Sequence, residues 1–156
     1  MKKFFLLFCF FLLVIQALPA VSQSNYLYRQ RLNWVKISKA NPKEVPLGSL
    51  KHPYQALSVE QMEAMLLSVK LSKKHLLKHE LSTLDVFNSW EARRIAVYIV
   101  DALAKVDADH VVNFSVIHKR PVFILRNDRL SVGDVWAAED GLHIQFEKLF
   151  AKIEGD

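Results

Sequence analysis

Hydrophobic and polar positions follow different rhythms in successive parts of this chain. Phe4 to Leu18 is an apolar run broken only by Gln16. Further on, Met62, Met65, Leu66 and Val69 fall at i, i+3, i+4 and i+7, which is one buried stripe of a helix. Ser58 stands where an N-cap is needed, Gln61 can close a capping box, and Leu57 can staple against Met62. A second helix is predicted from Asn88 or Ser89, with Glu91 in the first turn, where the helix dipole favours an anion. Ile95, Ile99, Ala102, Leu103 and Val106 continue its apolar face. No glycine or proline occurs from Tyr54 to Arg120, so the stretch is permissive for helix throughout, with residues 70–86 open between helix and loop.

The period then drops from 3.6 to 2. Val112, Phe114 and Val116 point one way, and Asn113 and Ser115 the other. Val122 to Leu125 reads as another strand, followed by a turn or bulge through Arg126 to Arg129. After Gly133 a hairpin is expected, with Asp140-Gly141 suited to a tight turn and Leu142, Ile144 and Phe146 alternating with His143, Gln145 and Glu147. Phe146, Leu149, Phe150 and Ile153 return to helical spacing, so a short closing helix is expected. Helices first and strands later predict an α+β fold: two or three helices packed on a small antiparallel sheet of three to four strands, after an extended N-terminal arm.

The arm, residues 23–53, holds three of the five prolines and reads as a turn-rich connector. Charge sets it apart. Arg29, Arg31, Lys36, Lys39, Lys43 and Lys51 face only Glu44, a net of +5, whereas residues 54–156 carry a net of −2. Tyr26, Tyr28 and Trp34 interleave with Arg29, Arg31 and Lys36. These six residues either pack their aromatics on the domain or form a contact arm for an anionic surface.

The start of the chain carries the marks of export. Lys2 and Lys3 precede the apolar run, and Ala20-Val21-Ser22 offers a small-x-small cleavage site, so residues 1–22 are expected to be a signal peptide. The run is short for a membrane span, which needs about 20 residues. An uncleaved membrane anchor is the alternative, and the periplasm is the expected compartment. Residues 23–53 then form the arm and residues 54–156 a single domain. The single cysteine, Cys9, lies inside the apolar run, which excludes a disulfide scaffold, a thiol nucleophile and thiolate metal sites from the mature chain.

Candidate chemistry is sparse. Lys73 to Glu80 reads KKHLLKHE, and on a helix His75 and His79 would share a face and could meet one metal ion. The metalloprotease arrangement, with glutamate next to the first histidine, is absent, and Lys73, Lys74 and Lys78 would repel a cation. His52, His118 and His143 are distant candidates with no spacing that gathers them. A solvated basic surface is the favoured reading. No nucleophile elbow, S-x-x-K motif or glycine-rich phosphate loop occurs. His143, Gln145 and Trp136 could form a polar-aromatic sheet face, covered by a helix or offered to a partner.

Several blocks together carry a resemblance: His52-Pro53, Phe87 to Ala92, Val111 to Phe114, Leu130 to Trp136, and Asp140 to Ile144. The series resembles small exported or lipoprotein-type bacterial envelope proteins of unknown function, over roughly residues 52–146. Members with a lipobox would be membrane-anchored; this chain carries none. The resemblance implies location and fold, with no catalytic residue to transfer. The expected function is therefore that of a non-enzymatic periplasmic accessory protein without a cofactor. Its expected partner is another envelope protein or an anionic envelope surface, with membrane contact through the basic arm and no nucleic acid. The alternative is a metal-binding or hydrolytic protein using His75 and His79.

Overall fold

A computed structural model of the chain describes residues 25–45, 49–74, 81–119 and 128–153. The expected signal peptide and the pair His75 and His79 lie outside them. In order, the elements are β1 (Tyr26–Gln30), β2 (Asn33–Lys39), α1 (Val59–Ser68), β3 (Lys70–Lys74), β4 (Leu81–Asp85), α2 (Ser89–Leu103), β5 (His110–Lys119), β6 (Asp128–Ala138) and β7 (Gly141–Lys152). Strands take 49% of the described residues, so the fold is mainly β and not the α+β arrangement expected above. Five strands form one antiparallel sheet in the order β1-β2-β5-β6-β7, and β3 pairs with β4 in a small second sheet. No helix among the described residues is long and apolar enough to cross a membrane.

Three misreadings account for that correction. The expected arm is not a connector: β1 and β2 form a hairpin, and β2 pairs with β5 from Trp34 opposite Ser115 to Lys39 opposite His110. Its alternation was masked by charge, since Trp34, Lys36 and Ser38 face away from the helices while Val35 and Ile37 face them. Residues 70–74 and 81–85 are strands and not helix or loop, paired from Lys70 opposite Asp85 to Lys74 opposite Leu81. The predicted closing helix is the end of β7. Between Val132 and Leu130 of β6, β7 advances from Lys148 to Ala151, one residue more than its partner. That extra residue is a β-bulge, and it places Leu149 and Phe150 where a period of two would not. Phe150 takes the left-handed φ of 51° there.

Both helices start as their residues require. Ser58 accepts from the Gln61 amide while the Gln61 side chain accepts from the Ser58 amide, and Asn88 and Glu91 repeat the exchange at α2. Such a cap contributes about 1 kcal/mol. Ile95, Ile99 and Leu103 of α2 are fully buried against Val35, Val112, Phe114 and Val135 of the sheet. Each of those helix side chains contributes about 1.5–3 kcal/mol by leaving water. From α1, Met62 and Leu66 join the same core, so the methionine stripe is packing.

The opposite face of the sheet is only partly covered. Ala40 and Val45 lie with Val111 and Trp136 in a second small cluster, closed by Leu50 and Ala138. His52 holds that covering segment in place: its Nδ1 lies 2.9 Å from the His110 carbonyl, and its Nε2 accepts the Ala137 amide at 3.0 Å.

Candidate functional site

The outward face of the sheet carries a row of polar residues in strand register: Lys36, Asn113, Asp134 and Gln145. Asn113 Nδ2 donates to Asp134 at 2.5 Å. Burial pushes the Asp134 carboxyl above its ordinary value, and the Asn113 hydrogen bond works against that. Beside this row His143 stacks flat on Trp136, 5.2 Å between centroids and 5° between planes, and donates through Nε2 to Asp140 at 2.7 Å. The polar-aromatic face expected of His143, Gln145 and Trp136 therefore exists. Among the described residues no helix covers it; the two described helices pack on the other side.

Toward the β1 edge the same face becomes cationic and aromatic. Tyr26 meets Trp34 edge to face at 6.1 Å. Arg29 lies 4.9 Å from the centre of the Tyr26 ring, and the Lys36 ammonium lies 4.8 Å from the Trp34 ring and 5.9 Å from Tyr26. Each such contact is worth about 0.5–1 kcal/mol at an exposed site and holds the charge against the ring. Four of the six expected contact residues are thus gathered on one surface. The other two are not. Tyr28 turns inward and stacks on Tyr98 of α2, 4.6 Å apart at 16°. Arg31 occupies the β1-β2 turn at a φ of 56° and lines a separate cleft at the end of the sheet.

That cleft, of about 360 Å³, lies where the β1-β2 turn meets the start of α2 and the ends of β5 and β6. Trp90 and Arg94 come from successive turns of α2, and the Arg94 guanidinium stacks 4.1 Å above the indole. Arg94 Nη2 donates to Asn33 Oδ1 at 3.2 Å, and the same oxygen accepts the Ile117 amide at 2.8 Å. Arg94 Nε is buried with no hydrogen-bond partner among the described residues.

A third polar group lies inside the core. His118 Nδ1 is 3.0 Å from Glu91 Oε2, and its Nε2 is 2.9 Å from Ser131 Oγ. This Glu-His-Ser order is the connectivity of a nucleophilic triad. His118 and Ser131 are nonetheless 0% exposed and Glu91 3%, with Phe87 and Phe150 rings against the imidazole. No substrate reaches that hydroxyl in this conformation. Its bonds run into the fold: Glu91 Oε2 also accepts the Asn88 amide, and Ser131 Oγ accepts the Phe150 amide at the β7 bulge. The network ties the start of α2 to three strands.

The remaining expected site residues do not converge. Among the described residues no group of three or more His, Cys, Asp or Glu is placed to hold a metal ion. The expectation on His75 and His79 rests on residues outside the description, although the flanking segments are strands. Sequence reasoning missed Trp90, Arg94 and Asn33. A tryptophan one turn before an arginine on an amphipathic helix, off its apolar face, was the available signal. Comparison with known protein families, with curated proteins and with solved structures finds no match for the chain.

Proposed function

We propose that the protein is an exported, non-enzymatic accessory component of a bacterial cell envelope, and that its outward β1-β2 face docks on an anionic envelope surface. One observation carries this reading: Tyr26, Arg29, Trp34 and Lys36 stand together on a sheet face that no described helix covers, with both cations held over aromatic rings. Support comes from charge, since the net of +5 is concentrated in the segment that builds this edge. Aromatic rings suit the boundary between apolar and wet surroundings, and cations beside them add attraction to phosphates. The export part of the reading rests on the signal-like residues 1–22 and on the resemblance to exported envelope proteins.

Co-sedimentation with phospholipid vesicles tests it. The protein should bind vesicles rich in anionic lipid, release as salt rises, and ignore zwitterionic vesicles. Each surface cation contributes about 1 kcal/mol, so Arg29→Ala with Lys36→Ala should weaken binding roughly thirtyfold. Equal retention by zwitterionic vesicles, or an unchanged affinity in the double variant, would remove this reading.

A further inference from the structure

The cleft between Trp90, Arg94 and the β1-β2 turn is independent of that docking face. We propose that it is a binding site for a small oxyanion, a carboxylate or a phosphate, carried on a flat body that lies against Trp90. Three observations converge on this. The first is charge: Arg31, Arg94 and Lys119 line the cleft, none of them with an ion-pair partner among the described residues, and Asp128 is the one acidic residue in the described lining. Three cations against one carboxylate leave the cleft with an excess of positive charge, which an arriving anion relieves.

The second is the polarity of the lining amides. Asn33 Oδ1 is taken by Arg94 and by the Ile117 amide, and Gln30 Oε1 accepts the Tyr28 hydroxyl at 2.9 Å. Both oxygens are engaged by protein groups, so part of the acceptor capacity of the lining is already used. With Arg31, Arg94, Lys119 and Trp90 beside these amides, the described side chains of the lining hold more N–H donors than acceptors, an arrangement that suits an oxyanion.

The third is the pairing of Trp90 with Arg94. Trp90 is 62% exposed, the most exposed of the large hydrophobic residues among those described. The guanidinium lies over the indole, with one donor spent on Asn33 and Nε buried without an acceptor among the described residues. A planar guanidinium presents a fork that matches a carboxylate or phosphate. The volume of about 360 Å³ suits a small molecule rather than a folded partner.

Two-dimensional NMR of the folded protein tests the site, following the indole N–H of Trp90 and the Nε–H of Arg94 during titration with benzoate, phenyl phosphate and acetate. Benzoate or phenyl phosphate should shift both signals and saturate below about 10 mM, with acetate weaker for want of a flat body. Whichever of the first two binds tighter names the source chemistry. Arg94→Lys should weaken binding about tenfold or more, because it keeps the charge and loses the fork. Lys119→Ala and Arg31→Gly, both remote from the core and the latter suited to the positive φ, should each weaken it while leaving the Trp136 signal in place. Arg93→Ala, outside the lining, should change nothing. The proposal is overturned if neither aromatic probe saturates, if all cleft variants bind as the parent does, or if Trp34 responds and Trp90 does not.

Discussion

His52 joins two backbone groups that the sheet does not join itself, and that fixes how it responds to pH. Nδ1 donates to the His110 carbonyl and Nε2 accepts the Ala137 amide, so the ring is held neutral with its hydrogen on Nδ1. Burial pushes its pKa below the ordinary 6.5, and backbone hydrogen bonds to Asp107 and His110 act in the opposite direction. Above 6.5 neither the folded nor the unfolded chain protonates this ring, and its full contribution is present. As pH falls from 6.5 toward the lowered folded value, the unfolded chain takes up a proton that the fold refuses, and stability drops. His52→Ala should lose about 1–3 kcal/mol at pH 7 and show a flatter decline from pH 7 to 5 in thermal unfolding. A parallel decline in both proteins would refute the assignment. Ser131 makes a similar argument without charge. Ser131→Ala leaves His118 Nε2 and the Phe150 amide without their partner, at about 1–3 kcal/mol for each group, measured by urea unfolding. Sequence reading placed Glu91 correctly in the first turn of α2. That its carboxylate also reaches His118, 27 residues away, depends on how β5 lies under the helix, which no local pattern encodes.

At the scale of elements, Gly133 separates what was legible from what was not. It read as the punctuation before a hairpin, and it lies inside β6 opposite Phe114 and Phe146. A Cβ there would meet the Gln145 carbonyl at 2.5 Å and the Phe114 ring at 3.1 Å, so backbone and a core ring would both have to move. Gly133→Ala should cost about 1–3 kcal/mol and raise amide exchange along β7 more than along β2. Uniform exchange would mean that the approach of β7 to β6 does not depend on this glycine. Both helices, their caps, the β5 alternation and the β6-β7 hairpin were legible because capping and turn chemistry act within four residues. β3 and β4 were not, because lysines and leucines without glycine or proline suit a helix as well as a strand, and the pairing of Lys70 with Asp85 spans 15 residues. The end of β7 was misread because two successive register shifts turned a period of two into a counterfeit of helical spacing.

For the molecule as a whole, the role of residues 26–39 decides what the N-terminal segment is for. A separable arm could be deleted, leaving a stable domain from residue 54 onward. Here β2 instead supplies Val35 to the core and covers the edge of β5, while β1 places Tyr28 under α2. Without them, Val112 and Phe114 would lose neighbours on one side, and β5 would become an open edge with unpaired backbone groups. A chain beginning at Tyr54 should therefore show no cooperative urea transition and should bind a hydrophobic dye, as a partly packed state does. Arg29→Ala with Lys36→Ala changes only outward side chains of the same strands, so the double variant should still unfold in one cooperative transition, losing no more than about 1.5–3 kcal/mol, the worth of its three cation–ring contacts. The pair of measurements separates the two roles of one segment: the backbone and inward side chains of β1 and β2 complete the sheet, and their outward side chains remain free to make contact elsewhere. A cooperative, dye-free fragment from residue 54 would show that the sheet closes without its first two strands, and the argument from topology would fail.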